Sequence, residues 1–287
     1  MMNLDGLEFT KLDKQGLEIL IDWARDEGWN PGSFDADIFW KTDPDGYYGY
    51  FQQDELIAGG SIVSYDGNFG FMGFFIVRPD LRGQGIGRQL WKQRRDMLLS
   101  RLKPGASIGM DGVVAMQDFY NKGGFTIAFK DERYGRKGEK FEPDIHISEL
   151  KERDIAAILE YDKTGFGFPR PRFMKAWLAM PQSKVFKYSI AGKIKGFCVL
   201  RKANVGYKIG PLFADDETIA ESLYKTCLDA APGEDIFLDI PVANEAALRL
   251  MQKYGAAYVF ECARMYYGSP PKIDISKVYG ITTFELG

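Results

Sequence analysis

The sequence predicts an α/β protein built as two similar domains in tandem. Three observations carry this. Short apolar runs of strand character alternate with segments of helical periodicity along the chain. The chain has 287 residues, more than one ordinary hydrophobic core organises. The order of elements beyond residue 145 loosely repeats the order before it, at a period of roughly 130 residues.

The elements follow in order. Leu7–Leu12 reads as an edge strand, and Asp13 as the cap of a helix running to Glu27, with Leu17, Leu20, Ile21 and Ala24 on one face. Phe34–Thr42 gives a short second helix. Tyr47–Gln52, Leu56–Ser64 and Asn68–Val77 are strand-like runs separated by the turn formers Gln53-Asp54 and Asp66-Gly67, so they predict a meander. A helix from about Arg88 to Leu102 buries Ile86, Leu90, Met97 and Leu98 and exposes Lys92, Arg94 and Arg95. Strands are expected at Ala106–Met110 and Thr126–Lys130, and the charged stretch 133–140 reads as a linker. The domains would then cover 1–140 and 141–287. In the second half, Glu149–Tyr161, Glu217–Ala230 and Glu245–Tyr254 read as helices. Val185–Ala191, Lys195–Arg201, Tyr207–Phe213, Ile236–Ile240 and Ala257–Tyr266 read as strands.

The most informative stretch is 74–87. The strand Phe74–Val77 breaks at Pro79, and Arg82-Gly83-Gln84-Gly85-Ile86-Gly87 leads into the helix. Glycines there bare backbone N–H groups at the positive end of a helix dipole, a receptor for phosphate. The alternative is a glycine-rich turn without a ligand. A Walker loop is excluded, because Gly87 precedes Arg88-Gln89 rather than Lys-Ser/Thr. A dinucleotide fingerprint is excluded, because Arg88 stands three residues after Gly85.

The Arg-x-x-Gly-x-Gly pattern after a strand ending Val-x-Pro resembles motif A of the GCN5-related N-acetyltransferases (GNAT). Phe119-Tyr120-x-x-x-Gly124-Phe125 resembles motif B of that family. The resemblance implies twisted mixed sheets flanked by helices, and acetyl-coenzyme A (acetyl-CoA) as the donor substrate. Its contacts would come from Phe75, Ile76 and Val77, with Arg82, Gly83, Gln84, Gly85, Ile86, Gly87 and Arg88. A backbone N–H at about Ile76 or Val77, freed by a bulge, would stabilise the thioester oxygen. Arg78 would add a contact to phosphate; a solvated surface role is the alternative for each arginine. Tyr120 would protonate the departing thiolate, its alternative being a tyrosine packed at the sheet edge.

Many family members carry a Glu on the strand before the loop, and 71–77 has no carboxylate. By chain order Asp111 is the nearest candidate base. Asp5, Glu8, Asp35 and Asp37 are further candidates, with capping, turn or surface roles as the alternative.

The second half has Ala214-Asp215-Asp216-Glu217 where the loop should stand, and Met251 roughly where Tyr120 stands. Carboxylates repel a pyrophosphate, so this half is not expected to bind the coenzyme. Segments 209–216, 238–241 and 279–287 resemble the C-terminal domain of a tandem-GNAT group with bacterial and nematode members. If the half is a degenerate copy, Asp162, Phe166, Arg170 and Trp177, with Glu261 and Arg264, would shape the acceptor site. The alternative is an interdomain salt bridge with core aromatics.

Composition excludes several classes. Net charge is −3 with both signs interspersed, which argues against a nucleic-acid partner. No apolar run reaches membrane-span length, and the N-terminus lacks signal-peptide character, so a cytoplasmic protein is expected. Three scattered cysteines, Cys198, Cys227 and Cys262, read as buried thiols. With a single histidine, His146, a two-His metal site is excluded and any His-based triad or His-Cys pair would have to use it; His146 reads as structural, and no metal is expected. Two functions result: transfer of an acetyl group to the primary amine of a small molecule or peptide, or binding and sensing of an acyl-CoA without turnover.

Overall fold

The structure, a computed structural model, describes residues 7–287. Two halves repeat one order of elements. The first runs β1 (Phe9–Lys11), α1 (Lys14–Asp26), α2 (Asp35–Thr42), β2 (Tyr47–Gln52), β3 (Glu55–Tyr65), β4 (Phe69–Val77), α3 (Ile86–Ser100), β5 (Ser107–Val113), α4 (Gln117–Lys122) and β6 (Phe125–Lys137). The second runs β7 (Ile147–Glu149), α5 (Ile155–Phe166), α6 (Pro171–Leu178), β8 (Lys184–Ile190), β9 (Lys193–Lys202), β10 (Tyr207–Ala214), α7 (Glu217–Ala230), β11 (Asp235–Pro241), α8 (Glu245–Lys253) and β12 (Ala257–Tyr267). A short β13 (Val278–Gly280) follows.

The halves are fused through one 13-stranded mixed sheet, in the order β1-β2-β3-β4-β5-β12-β6-β11-β10-β9-β8-β7, with β13 beside β10. In each half the parallel pair, β4 with β5 or β10 with β11, follows an antiparallel meander. The last strands are exchanged: β12 of the second half pairs with β5, and β6 of the first pairs with β11. Residues 133–137 are therefore not linker but the end of β6. Their charges are matched across the sheet, Arg133 to Asp239 at 2.5 and 2.7 Å, and matched charges are tolerated in a buried strand.

Asp13 caps α1, accepting from the Gly16 N–H at 2.8 Å. The helix expected over 149–161 starts later, at Ile155, because Asp154 accepts from the Lys151 N–H at 3.0 Å and sets a turn first. The largest core cluster joins the halves on one face of the sheet: Phe39 of α2 stacks on Trp177 of α6, and Phe71 shares the cluster with Phe166 and Leu286. Helices α3 and α4 cover the other face of the first half, α7 and α8 that of the second. Arg94 departs from expectation. It is fully buried, not exposed, and Met97 is only half-buried. All three cysteines are buried, and Cys198 Sγ lies 3.3 Å from Cys227 Sγ. No helix among the described residues is long and apolar enough to cross a membrane.

Candidate active site

The site begins with a break in the sheet. Parallel pairing of β4 with β5 stops at Met72 and Met110. Just beyond, Phe74 and Phe75 stand opposite the single residue Gly60 of β3, a β-bulge, and Phe74 takes a left-handed φ of 49°. The strands then splay. The Arg78 N–H donates to Ile57 O at 2.9 Å, so strand alternation turns Ile76 toward β3 and the Val77 N–H into the splay.

Buried Arg94 braces the bulge. Its Nη2 donates to Ser61 O at 2.5 Å and Gly73 O at 2.6 Å, and its guanidinium lies 5.5 Å from the Phe75 ring centroid. No carboxylate pairs with it among the described residues, and burial pulls its pKa down to about 9.

A groove of about 950 Å³ runs from the splay along the glycine turn. Phe75, Ile76, Val77, Arg82, Gly83, Gly85, Gly87 and Arg88 line it, as do the unexpected Trp29, Gln89 and Lys92. Of the residues expected there, Gln84 does not line it, and Ile86 is buried in the core, leaving only its backbone at the turn. Gly85 caps α3 at φ 91°, a conformation that favours glycine, and the first N–H groups of the helix lack intrahelical partners. The Arg82 side chain clips the loop, donating to Val77 O at 2.9 Å and pairing with Glu27. Arg78 is held by Asp80 and Glu55 and does not line the groove. Arg88 and Lys92 line it without an ion-pair partner among the described residues.

At the splay the groove meets a smaller chamber of about 80 Å³, sharing Trp29, Phe75, Val113 and Met116 with it. The gap lets both faces of the sheet meet. Tyr120 reaches the chamber from the α4 side. Its ring is buried and its hydroxyl has no partner among the described residues, yet it is not sealed from open space. Burial holds its pKa above the ordinary value, with Arg94 pulling the other way. Asp111, Cys262, Phe284 and Glu285 line the chamber with it.

Asp111 is not a free carboxylate. Arg264 binds both its oxygens, at 2.7 and 3.0 Å. Burial raises its pKa to about 6 against the pull of Arg264. Asp131, on β6 beside Cys262, is buried with neither oxygen hydrogen-bonded, and burial and then Asp111 push its carboxyl well up.

Other expected residues lie elsewhere. Arg170 is fully buried on Asp162, both bonds 2.8 Å, and 3.8 Å above the Phe166 ring. It also donates to Thr282 Oγ1 and Gly287 O, at 2.7 Å each. Asp162, Phe166 and Arg170 thus clamp the C-terminal segment and line neither groove nor chamber. Trp177 donates to Gly210 O at 2.8 Å in the core. Glu261 pairs with Lys130 at the rim of a recess beside the chamber. Asp35 is buried on Arg201, Asp37 pairs with Lys14, and Glu8 is exposed. Asp5 lies outside the described residues. His146 is exposed against Tyr188. Among the described residues no cluster of three or more His, Cys, Asp or Glu has metal-holding geometry.

In the second half the equivalent splay is filled. A bulge at Gly210-Pro211 repeats that of β4, but β13 pairs with β10 there. Asp216 caps α7, and Asp215 is held by Lys195 and Lys277.

Two family models match in tandem. One, described as the acetyltransferase (GNAT) family, matches residues 14–125, and a second, an acetyltransferase (GNAT) domain, matches 158–280. The chain belongs to the GNAT family, as a tandem of two such domains. It is 26% identical to the holothin acyltransferase of Pseudoalteromonas sp. (strain SANK 73390), over 94% of this chain and 91% of that one. In fold it is similar to a candidate acetyltransferase from Pyrococcus horikoshii (TM-score 0.84, 22% identity, 100% of this chain and 98% of that one). It is also similar to a tandem GNAT protein from the clavulanic acid biosynthesis pathway (TM-score 0.64, 10% identity, 93% of this chain and 99% of that one).

Proposed function

We propose that this tandem GNAT protein transfers an acetyl group from acetyl-CoA to the primary amine of a small molecule or peptide, by direct transfer in the first half. One observation carries the reading: a groove that starts at the unpaired N–H groups of α3 ends at a chamber into which the Tyr120 hydroxyl opens. The turn at Gly83–Gly87 fits a pyrophosphate, with Arg88 and Lys92 supplying positive charge. The match to an acyltransferase across 91% of its length supports the reaction class.

The amine nitrogen, once deprotonated, attacks the thioester carbonyl. Negative charge on that oxygen is met by the Val77 N–H in the splay. The carbon–sulfur bond breaks, the sulfur takes its proton from the Tyr120 hydroxyl, and the proton that the attacking nitrogen sheds returns through water to the phenolate. Burial keeps the tyrosine neutral, so its proton is in place when the thiolate, itself desolvated, forms beside it.

Tyr120→Phe tests this with acetyl-CoA and a panel of amines, followed by free thiol release. The expected result is a fall of about 100-fold or more in kcat with unchanged coenzyme affinity. Tight coenzyme binding with no thiol release for any amine would favour the rival reading, a non-catalytic acyl-CoA-binding protein.

A further inference from the structure

Of the carboxylates that line the chamber, Glu285 comes from the second half. After β13 the chain runs as a strap from one bulge to the other: Thr282 O lies against Gly210, and Glu285 O against Gly73. Ties from both halves fix it. Tyr65 of β3 donates to Leu286 O at 2.7 Å, and Arg170 holds Thr282 and Gly287. The strap thereby sets a carboxylate beside β4, the strand that carries none of its own.

The four carboxylates nearby are not equivalent, and Asp239 has both oxygens on Arg133. Asp111 has both oxygens on Arg264. Asp131 is sealed and does not line the chamber. Glu285 is 3% exposed, and only its Oε2 is engaged, by the Thr283 hydroxyl. Its Oε1 has no partner among the described residues and is not sealed, so it opens on the chamber it lines. The walls around it are Trp29, Phe74, Phe75, Phe260 and Phe284. A carboxylate in this aromatic-walled chamber suits an ammonium group through a charge-assisted hydrogen bond, while Arg133 already lies over Phe260 and Phe284 and Arg94 over Phe75.

Outward, the chamber shares Trp29, Val113 and Phe260 with a recess of about 500 Å³. Its lip carries Val114, Tyr258 and Val259, which are 56%, 54% and 47% exposed. We propose that Glu285 binds the ammonium group of the acceptor, and that the acceptor is an amine on an aromatic or similarly apolar body lying along Val114, Tyr258 and Val259. This rests on the acyl-transfer reading above.

The probe is 2-phenylethylamine, titrated by calorimetry into the full chain saturated with CoA, with 2-phenylethanol as its uncharged counterpart. The amine is expected to bind, and the alcohol at least about 10-fold more weakly. Glu285→Gln, which keeps the shape of the side chain, is expected to weaken the amine by about 10- to 100-fold while alcohol and CoA affinities stay as they were. Tyr258→Ala is expected to weaken 2-phenylethylamine and leave methylamine unaffected. Unchanged amine affinity in Glu285→Gln, or no preference for amine over alcohol, overturns the assignment of Glu285. Equal loss of methylamine and 2-phenylethylamine binding in Tyr258→Ala overturns the assignment of the lip. Failure of CoA itself to bind the wild-type chain overturns the acyl-transfer reading instead.

Discussion

A methyl group at Gly73 would separate the strap from the rest of the site. Gly73 is not in the left-handed region, so its backbone accepts alanine. Its surroundings do not. A Cβ there would stand 2.2 Å from Glu285 O and 2.9 Å from the carbonyl carbon. Carbon and oxygen in close contact stand about 3.3 Å apart, so the strap must withdraw by about 1 Å. It is backbone, tied at Tyr65 and Arg170, and cannot swing aside as a long side chain would. Overpacking of this kind costs about 1–3 kcal/mol. A displacement of about 1 Å at a positioning group costs about 100-fold in rate.

Gly73→Ala is therefore expected to lose about 1–3 kcal/mol in a urea titration and about 100-fold in kcat/KM for the amine. The CoA affinity should be unchanged, because the strap does not line the groove. Wild-type kcat/KM in a folded Gly73→Ala protein would refute the claim that the strap positions the acceptor. Loss of CoA binding would refute it differently, by showing that the bulge and the strap are one unit.

Gly85→Ala forces a β-carbon onto a residue at φ 91° where the anion must approach. It should weaken CoA by at least about 10-fold in calorimetry and leave 2-phenylethylamine binding intact. Lys208 is fully buried, its Nζ lacks a hydrogen bond and stands 4.0 Å from Asp239 Oδ2, an oxygen Arg133 already holds, and burial lowers its pKa from 10.5 to about 8. A depressed lysine penalises the folded state fully below pH 8, and the penalty fades as pH rises from 8 to 10.5. Lys208→Met should thus stabilise the protein by about 1–3 kcal/mol at neutral pH, and the gain should shrink toward pH 10.5 in parallel denaturation series.

The sequence displayed what is local. The cap at Asp13, the meander and the turn at Gly83–Gly87 each depend on residues a few positions apart, and each stands where its signals put it. The exchange of β6 and β12 was not visible, because the partner of each strand lies over a hundred residues away. Asp131 and Arg133 alternate along β6 as buried residues should, but charge in a strand reads as solvent exposure until the matching Asp239 is known. The clamp of Asp162 and Arg170 looked like a ligand site for the same reason: a charged pair among aromatics has one signature, whether it faces a ligand or the chain itself.

Two signals of the site were present in the sequence. Arg94 continues the stripe Ile86, Leu90, Arg94, Leu98 at a spacing of four, the face that packs on the sheet. Position outweighs charge there, because the two carbonyls that the bulge takes out of the ladder, Ser61 O and Gly73 O, need a donor and a long cationic side chain reaches both. Glu285 is likewise the sole charged residue from Val278 to Gly287. A lone charge in an apolar segment that packs against a core is costly to bury, and it persists where something outside the segment uses it. Thr283 answers one oxygen of that carboxylate. The other is left facing the gap between β4 and β5, where an incoming ammonium would complete it.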